Sequence, residues 1–340
     1  MSSSPSSVLI APINIAGQSS ILARALRTLG CDAVSCALIR NGFIHDEDIR
    51  FYVDEIPEKR ARKSARRRFF RQALTRYRTF HFQFNLTLME DYRDLFWLRL
   101  FGKKRMMHFW GHDLRISTVA RELNPHYNLP DFGDELILRR LQRVSRYVDT
   151  ALVADEELAA YARKFFKHVV RVPQAIEIGR FEPRFPDPDN SRPLVVHAPS
   201  DPVVKGTETI LAVVERLKSR HDFEFRLIQN MPHEEARAVY EAADIIVDQI
   251  LVGSYGLLAV EAMALGKPIL CFVREDLIPT YPAGLPVIPS SPDTLFQDLQ
   301  NLLEDGSLRG RLGQRGREYA KTNHDSLKVA RILLDIYNSL

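Results

Sequence analysis

Short apolar runs alternate with helical periods along most of this chain, and that alternation constrains its fold more than any other feature. VLIAPI (8–13) is the first run, suited to a strand buried on both faces. A polar turn with Gly17 follows. SSILARALRTLG then sets Ile21, Leu22, Ala25, Leu26 and Leu29 at helical spacing, and Gly30 stops it. CDAVSCAL is the next strand. A β–α–β opening of this kind implies a parallel sheet with crossover helices. TFHFQF (79–84), RMMHFW (105–110) and TALVA (150–154) read as further strands, and DELILRRLQRVSRYV reads as an amphipathic helix. The alternation breaks at FPDPDNSRP (185–193), which has turn residues and no period and reads as a linker. It then restarts with LVVHAP, TETILAVVERLKSR, EFRLIQN, HEEARAVYEAA, DIIVDQI and a helix running into PILCFV.

With 340 residues the chain is long enough for about two domains. The expected architecture is α/β, with two Rossmann-like domains facing across a cleft. In such sheets ligands bind beyond the carboxyl ends of the strands, at helix N-termini. The composition is ordinary for a globular protein, at 45% hydrophobic and 26% charged residues. A net charge of +4 makes the chain mildly basic and does not demand nucleic acid. Cys31, Cys36 and Cys271 are an odd count without a CxxC pair, which argues against a disulfide framework and for a cytoplasmic setting. No apolar run approaches the ~18 residues of a membrane span. The first residues are Ser-rich without a basic leader, and no signal peptide is expected.

Two stretches carry chemistry. In HAPSDPVVKGTETI (197–210) a strand ends in a polar turn, and Lys205-Gly206 precedes a helix that Thr207 is expected to cap. A lysine beside outward-pointing backbone N–H groups suits a diphosphate. In GSYGLLAVEAMALGKPIL (253–270), Gly253 and Gly256 allow close backbone approach ahead of a helix, and Glu261 sits in an otherwise apolar run. A carboxylate there can accept two hydrogen bonds from a vicinal diol, as on a ribose, and a buried one needs a partner. The bland alternatives are a solvated loop lysine and an exposed helix glutamate.

Together these stretches resemble the donor domain of retaining glycosyltransferases with the GT-B fold, the glycosyltransferase family 4 group. The residues that carry the resemblance are Lys205-Gly206, EAMALGKPI around Glu261, RVPQAIEIGRF (171–181) as a hinge, and the C-terminal helical tail. The resemblance is fairly specific over residues 171–340 and vague before them. It implies an N-terminal acceptor domain (1–170), a hinge and linker (171–193), a nucleotide-sugar donor domain (194–320), and a C-terminal helix (321–340) packing back on the first domain. It implies transfer from a nucleotide-diphosphate sugar to an unidentified acceptor hydroxyl, hexosyltransferase-like, with no metal and no further cofactor. Lys205 and Glu261 would hold the diphosphate and the ribose. The sequence departs from the family twice: Gly253 replaces the first Glu of the E-x7-E motif, and Ser200 replaces the usual Arg. Stand-ins would be the backbone N–H groups of Gly256, Leu257 and Leu258, with His197 and Tyr255 nearby. A nucleotide-sugar-binding protein with little transferase activity, or a sugar-nucleotide epimerase, are the alternatives.

In the first half HFWGHDLR (108–115) resembles the segment where this family often has a cleft histidine, and His112 is the candidate. His108 on a strand face and Asp113 as a helix N-cap are the structural alternatives. Gly17, in the first strand–helix turn, would let donor or acceptor approach the backbone. Met231, Pro232 and His233 follow a strand where a base could sit. Residues 59–71 contain eight Lys or Arg beside Phe69 and Phe70, which suits an anionic membrane surface or a solvated face. No nucleic-acid module accompanies them.

Overall fold

The structure is a computed structural model that describes residues 7–41, 46–229, 231 and 233–340, with only the backbone of His233 and Glu234. The Ser-rich start, Pro232 and the His233 side chain lie outside the described residues. In chain order the elements begin with β1 (Val8–Ala11), α1 (Gln18–Thr28), β2 (Ala33–Ala37), β3 (Ile49–Arg50), α2 (Lys59–Arg76), β4 (Thr79–Gln83), α3 (Arg93–Leu100) and β5 (Lys104–His108). Next are α4 (Ser117–Leu123), α5 (Asp134–Val144), β6 (Thr150–Val153), α6 (Glu156–Ala162) and β7 (His168–Arg171). Then follow β8 (Leu194–His197), α7 (Pro202–Lys205), α8 (Thr207–Lys218), β9 (Glu224–Leu227), α9 (His233–Ala242) and β10 (Ile245–Val247). The chain closes with α10 (Leu257–Ala264), β11 (Ile269–Leu270), α11 (Leu295–Glu304), α12 (Gly306–Asn323) and α13 (Ser326–Ser339).

Two α/β units result. The first comprises Met1–Ile116, Phe132–Ala175 and Ser326–Leu340. Its described strands form one parallel sheet in the order β3-β2-β1-β4-β5-β6-β7, with Leu9 opposite Val34 on one side and Phe80 on the other. β1 is buried along its whole length, which is why it reads as continuous apolar sequence rather than as an alternation. Helices α1 and α13 cover the sheet through Leu22 and Leu26 from one and Val329, Leu333 and Tyr337 from the other. The second unit comprises Ser117–Asp131 and Ile176–Asp325. Its described strands form a parallel sheet ordered β11-β10-β8-β9, with Val196 opposite Ile246. Its core includes Val196, Ile246, Val260 and Met263.

The boundaries differ from those expected of the sequence. Residues 117–131 belong to the second unit, where Asn124 Nδ2 donates to the carbonyls of Leu251 (2.8 Å) and Val252 (3.1 Å). FPDPDNSRP is not a free linker. Arg309 donates to the Asn190 carbonyl, Asn190 donates to Asp244, and a Cβ on Gly306 would fall 1.9 Å from the Pro188 carbonyl oxygen. The unit change falls at Ala175–Ile176, and the chain re-enters the first unit at Ser326.

Candidate functional site

The site is assembled in the second unit beyond the carboxyl ends of β8 and β10. After β8, Asp201 starts α7 by accepting from the N–H groups of Val203 (3.0 Å) and Val204 (3.2 Å), with Pro202 in the first turn. Lys205 ends that one-turn helix. Gly206 follows at φ 75°, and a Cβ there would lie 2.6 Å from Ile250 Cγ1. No other residue fits that bend easily. Thr207 does not cap α8: its hydroxyl bonds His197 Nε2 (2.9 Å), and Gly206 occupies the cap position.

Lys205 is 12% exposed and Asp248 fully buried; Nζ donates to Asp248 Oδ1 (2.6 Å) and to Gln249 Oε1 (3.1 Å). Asp248 and Gln249 come directly after β10. An ammonium has three protons, and two are engaged here, which leaves one for an incoming oxygen. The positive field expected of Lys205 is therefore partly neutralised by Asp248. Asp248 Oδ2 is buried with no hydrogen-bond partner among the described residues, an acceptor that a donor group would satisfy. Gln249 also donates to the Ser254 carbonyl, joining this cluster to the glycine loop.

That loop leads into α10. Gly256 is its N-cap in extended conformation and no side chain caps the helix. Gly256, Leu257 and Leu258 are half-buried within a stretch that is otherwise buried, so this segment meets solvent at the start of the helix. Glu261 lies one turn inward and is 9% exposed. Burial, then the charges of Glu261 and Asp248, push the Tyr240 phenol up. Ser200 is exposed in the loop after β8.

Three expected positions need correction. His197 is fully buried, with Nδ1 on the Val247 carbonyl (2.8 Å) and Nε2 on Thr207, so both ring nitrogens serve the fold; burial lowers it to about 4. Tyr255 is 5% exposed and its hydroxyl meets His324 Nε2 (3.2 Å) in the core. Gly253 has φ 90°, and its Cβ space is filled by Arg274 Cγ (2.9 Å) and Asn124 Nδ2 (3.1 Å). A glutamate side chain at 253 would run into the stem of Arg274, whose guanidinium is paired with Asp276 (2.6 Å). Asp248, Gln249, Asn124 and Arg274 were not assigned to the site from sequence. Asp248 and Gln249 follow a strand in the position where such sheets bind ligands, and that was the available signal.

The first unit holds the remaining candidates. Gly17 is the N-cap of α1 at φ 75° and is buried. His112 is half-buried after β5, its ring 4.3 Å from that of Phe132. Asp113 does not cap a helix; it accepts from the N–H groups of Trp110 (3.0 Å) and Gly111 (2.8 Å) and braces the turn, and burial raises it to about 6. Arg115 pairs with buried Glu157 (2.7 Å). His108 is buried, stacked on Trp110 and bonded to His81 (3.2 Å). In the basic run, Arg66 and Phe70 face inward, at 5% and 4% exposed, and Arg66 donates to the Leu88 carbonyl.

A lysine with one proton left over is thus linked through Gln249 to the loop before an uncapped helix start, and a buried glutamate lies one turn into that helix. Residues 203–319 match the family model described as Glycosyl transferases group 1. The match takes in Lys205, Asp248, Gly253 and Glu261. A curated relative, D-inositol 3-phosphate glycosyltransferase of Corynebacterium glutamicum (strain R), is 33% identical over 157 residues, covering 45% of this chain and 36% of that protein. The protein of the same name from Corynebacterium efficiens is 36% identical over 137 residues, covering 39% and 31%. The chain spans about a third of the length of these curated relatives. Among solved structures, sucrose-phosphate synthase from Thermosynechococcus elongatus has a TM-score of 0.69 at 17% identity over 99% of both chains. Anabaena Alr3699/HepE, in complex with UDP and glucose, has a TM-score of 0.67 at 11% identity over 99% of this chain and 100% of that one. These likenesses show a fold shared with GT-B glycosyltransferases.

Proposed function

We propose that this chain is a retaining, family 4-like glycosyltransferase that moves a sugar from a nucleotide-diphosphate sugar to an acceptor hydroxyl. The carrying observation is that Gln249 links Lys205 Nζ to the loop before the uncapped start of α10, the helix that carries buried Glu261, at one end of the second sheet. Glu261 accepts the two ribose hydroxyls. The N–H groups of Gly256, Leu257 and Leu258, with the remaining Lys205 proton, hold the diphosphate. As the glycosidic bond breaks, negative charge grows on the β-phosphate, and these fixed donors stabilise it without a metal. In this reading His112 and Gly17, both in the first unit, serve the acceptor. The glycosyl-transfer class in the relatives' names supports this reading. The reading is cytoplasmic, with residues 59–71 facing an anionic membrane surface. No helix among the described residues is long and apolar enough to cross a membrane.

Binding to a panel of UDP-, GDP- and ADP-sugars, with donor hydrolysis, tests the reading. Glu261→Ala should weaken binding about tenfold or more, the range of a charge-assisted hydrogen-bond pair. If no nucleotide sugar binds, the donor site is misassigned. A second reading, nucleotide-sugar binding with little transfer, is favoured by Arg274 filling the Gly253 position; it predicts binding without turnover.

A further inference from the structure

Helices α2 and α3 border an open groove of about 800 Å³ in the first unit. From α2 come Arg60, Lys63, Arg67 and Arg71, which helical spacing sets on one stripe. The 18 residues of α2 contain no Asp or Glu. These four cations make no ion pair with any described carboxylate. From the α3 side come Arg93 and Trp97, and Phe101 directly beyond the helix. α3 turns Leu95 and Leu98 inward, yet it leaves Phe96 (48%), Trp97 (43%) and Leu100 (62%) exposed, with Phe101 (56%) beside them. The rings touch in series, at 5.4 Å for Phe96–Trp97 and 6.3 Å for Trp97–Phe101. Trp97 also lines a second groove of about 520 Å³, where Arg143 and Arg146 add positive charge. Asp91 is the acidic side chain lining either groove, and it is paired with Arg93 (3.4 Å).

We infer that this face seats the chain on an anionic bilayer: the α3 aromatic end enters the interface, and the α2 stripe holds headgroup phosphates. Trp and Phe with Leu at a protruding helix end, ringed by arginines, match the apolar and charged layers of such a surface. A second copy of the chain would bring the same positive rim against itself. A nucleic-acid backbone would answer the cations but leave Leu100, the most exposed of the four, with nothing to bury it. The inference sharpens the membrane reading of residues 59–71 and does not depend on the donor site.

The test is sedimentation of the full chain with vesicles of phosphatidylcholine alone or mixed equally with phosphatidylglycerol. Binding should require phosphatidylglycerol and fall with added salt. Leu100→Ser with Phe101→Ser should cut it at least tenfold with no change in unfolding midpoint. Arg60→Gln with Arg67→Gln should also cut it at least tenfold, since each basic residue near such a surface is worth roughly fivefold. Tryptophan emission should shift to the blue on anionic vesicles, and Trp97→Phe should abolish the shift. Nucleotide-sugar binding should be unchanged in all these variants. If the arginine pair matters and the Leu100/Phe101 pair does not, the anionic-surface reading stands and the inserted α3 end is wrong. Binding unchanged in both variants, or a preference for single-stranded RNA or self-association that both variants abolish, would overturn the inference.

Discussion

At the scale of single residues, the pairing of Lys205 with Asp248 governs how the site can be probed. Lys205→Ala strands a buried carboxylate, which costs about 3–5 kcal/mol. Urea unfolding should show that loss. Lys205→Met with Asp248→Leu should restore most of the stability and none of the nucleotide-sugar binding. If the double variant binds normally, Lys205 is structural only. Gly253→Glu, which rewrites the departure from the family motif, should not rescue anything. It forces a side chain into φ 90° against Arg274 and should cost about 1–3 kcal/mol in the same unfolding assay. For Lys205 and Glu261 the place in a strand–turn–helix pattern was legible, and the structure keeps it in α7 and α10. The surroundings of His197 and Tyr255 were not legible. A histidine at a strand end has the same sequence signature whether its nitrogens face a ligand or, as here, Val247 and Thr207.

At the scale of elements, close backbone approach explains the glycines of α12. A Cβ on Gly313 would lie 2.1 Å from the Gly266 carbonyl oxygen, whereas one on Gly310 meets Pro186 at 3.9 Å. Gly313→Ala should therefore cost about 1–3 kcal/mol, and Gly310→Ala should be neutral or stabilise by up to ~1 kcal/mol. Thermal unfolding of both variants separates the two; equal shifts would refute the packing argument. β1, β6, β8 and β10 were readable because each is buried along its whole length, so apolar runs mark them directly. α3 was not readable. RDLFWLRL has apolar side chains on its core face and its solvent face alike, so no stripe distinguishes it. The linker was misjudged for a related reason: Pro and Asn mark irregular backbone, and only the contacts of Arg309 and Asp244 show that this backbone is packed.

At the scale of the whole molecule, buried titratable groups set opposing pH trends. Burial holds His81 at about 3, His197 at about 4, and His108 well below its ordinary 6.5. The unfolded chain takes up these protons first, so their contribution is complete above pH 6.5 and is lost as pH falls. Burial raises Asp94 to about 7 and Asp113 to about 6 from 3.8. The folded state keeps those protons longer, so their contribution is complete below pH 3.8 and is lost as pH rises. Three histidines against two carboxylates leave a modest net loss on acidification from pH 6.5 to roughly pH 5. The unfolding midpoint should fall over that window, and Asp94→Asn should steepen the fall. An unchanged slope in that variant would refute the opposition.

The return of α13 to the first unit also sets an order of events. On a ribosome, every residue of the second unit emerges before Ser326, while the sheet begun at Val8 still lacks the helix that carries Val329, Leu333 and Tyr337. Strands made before the second unit are completed by a helix made after it. Until then the apolar side of α1 stays uncovered, and it is during synthesis, rather than after release, that this chain most needs shielding from its neighbours.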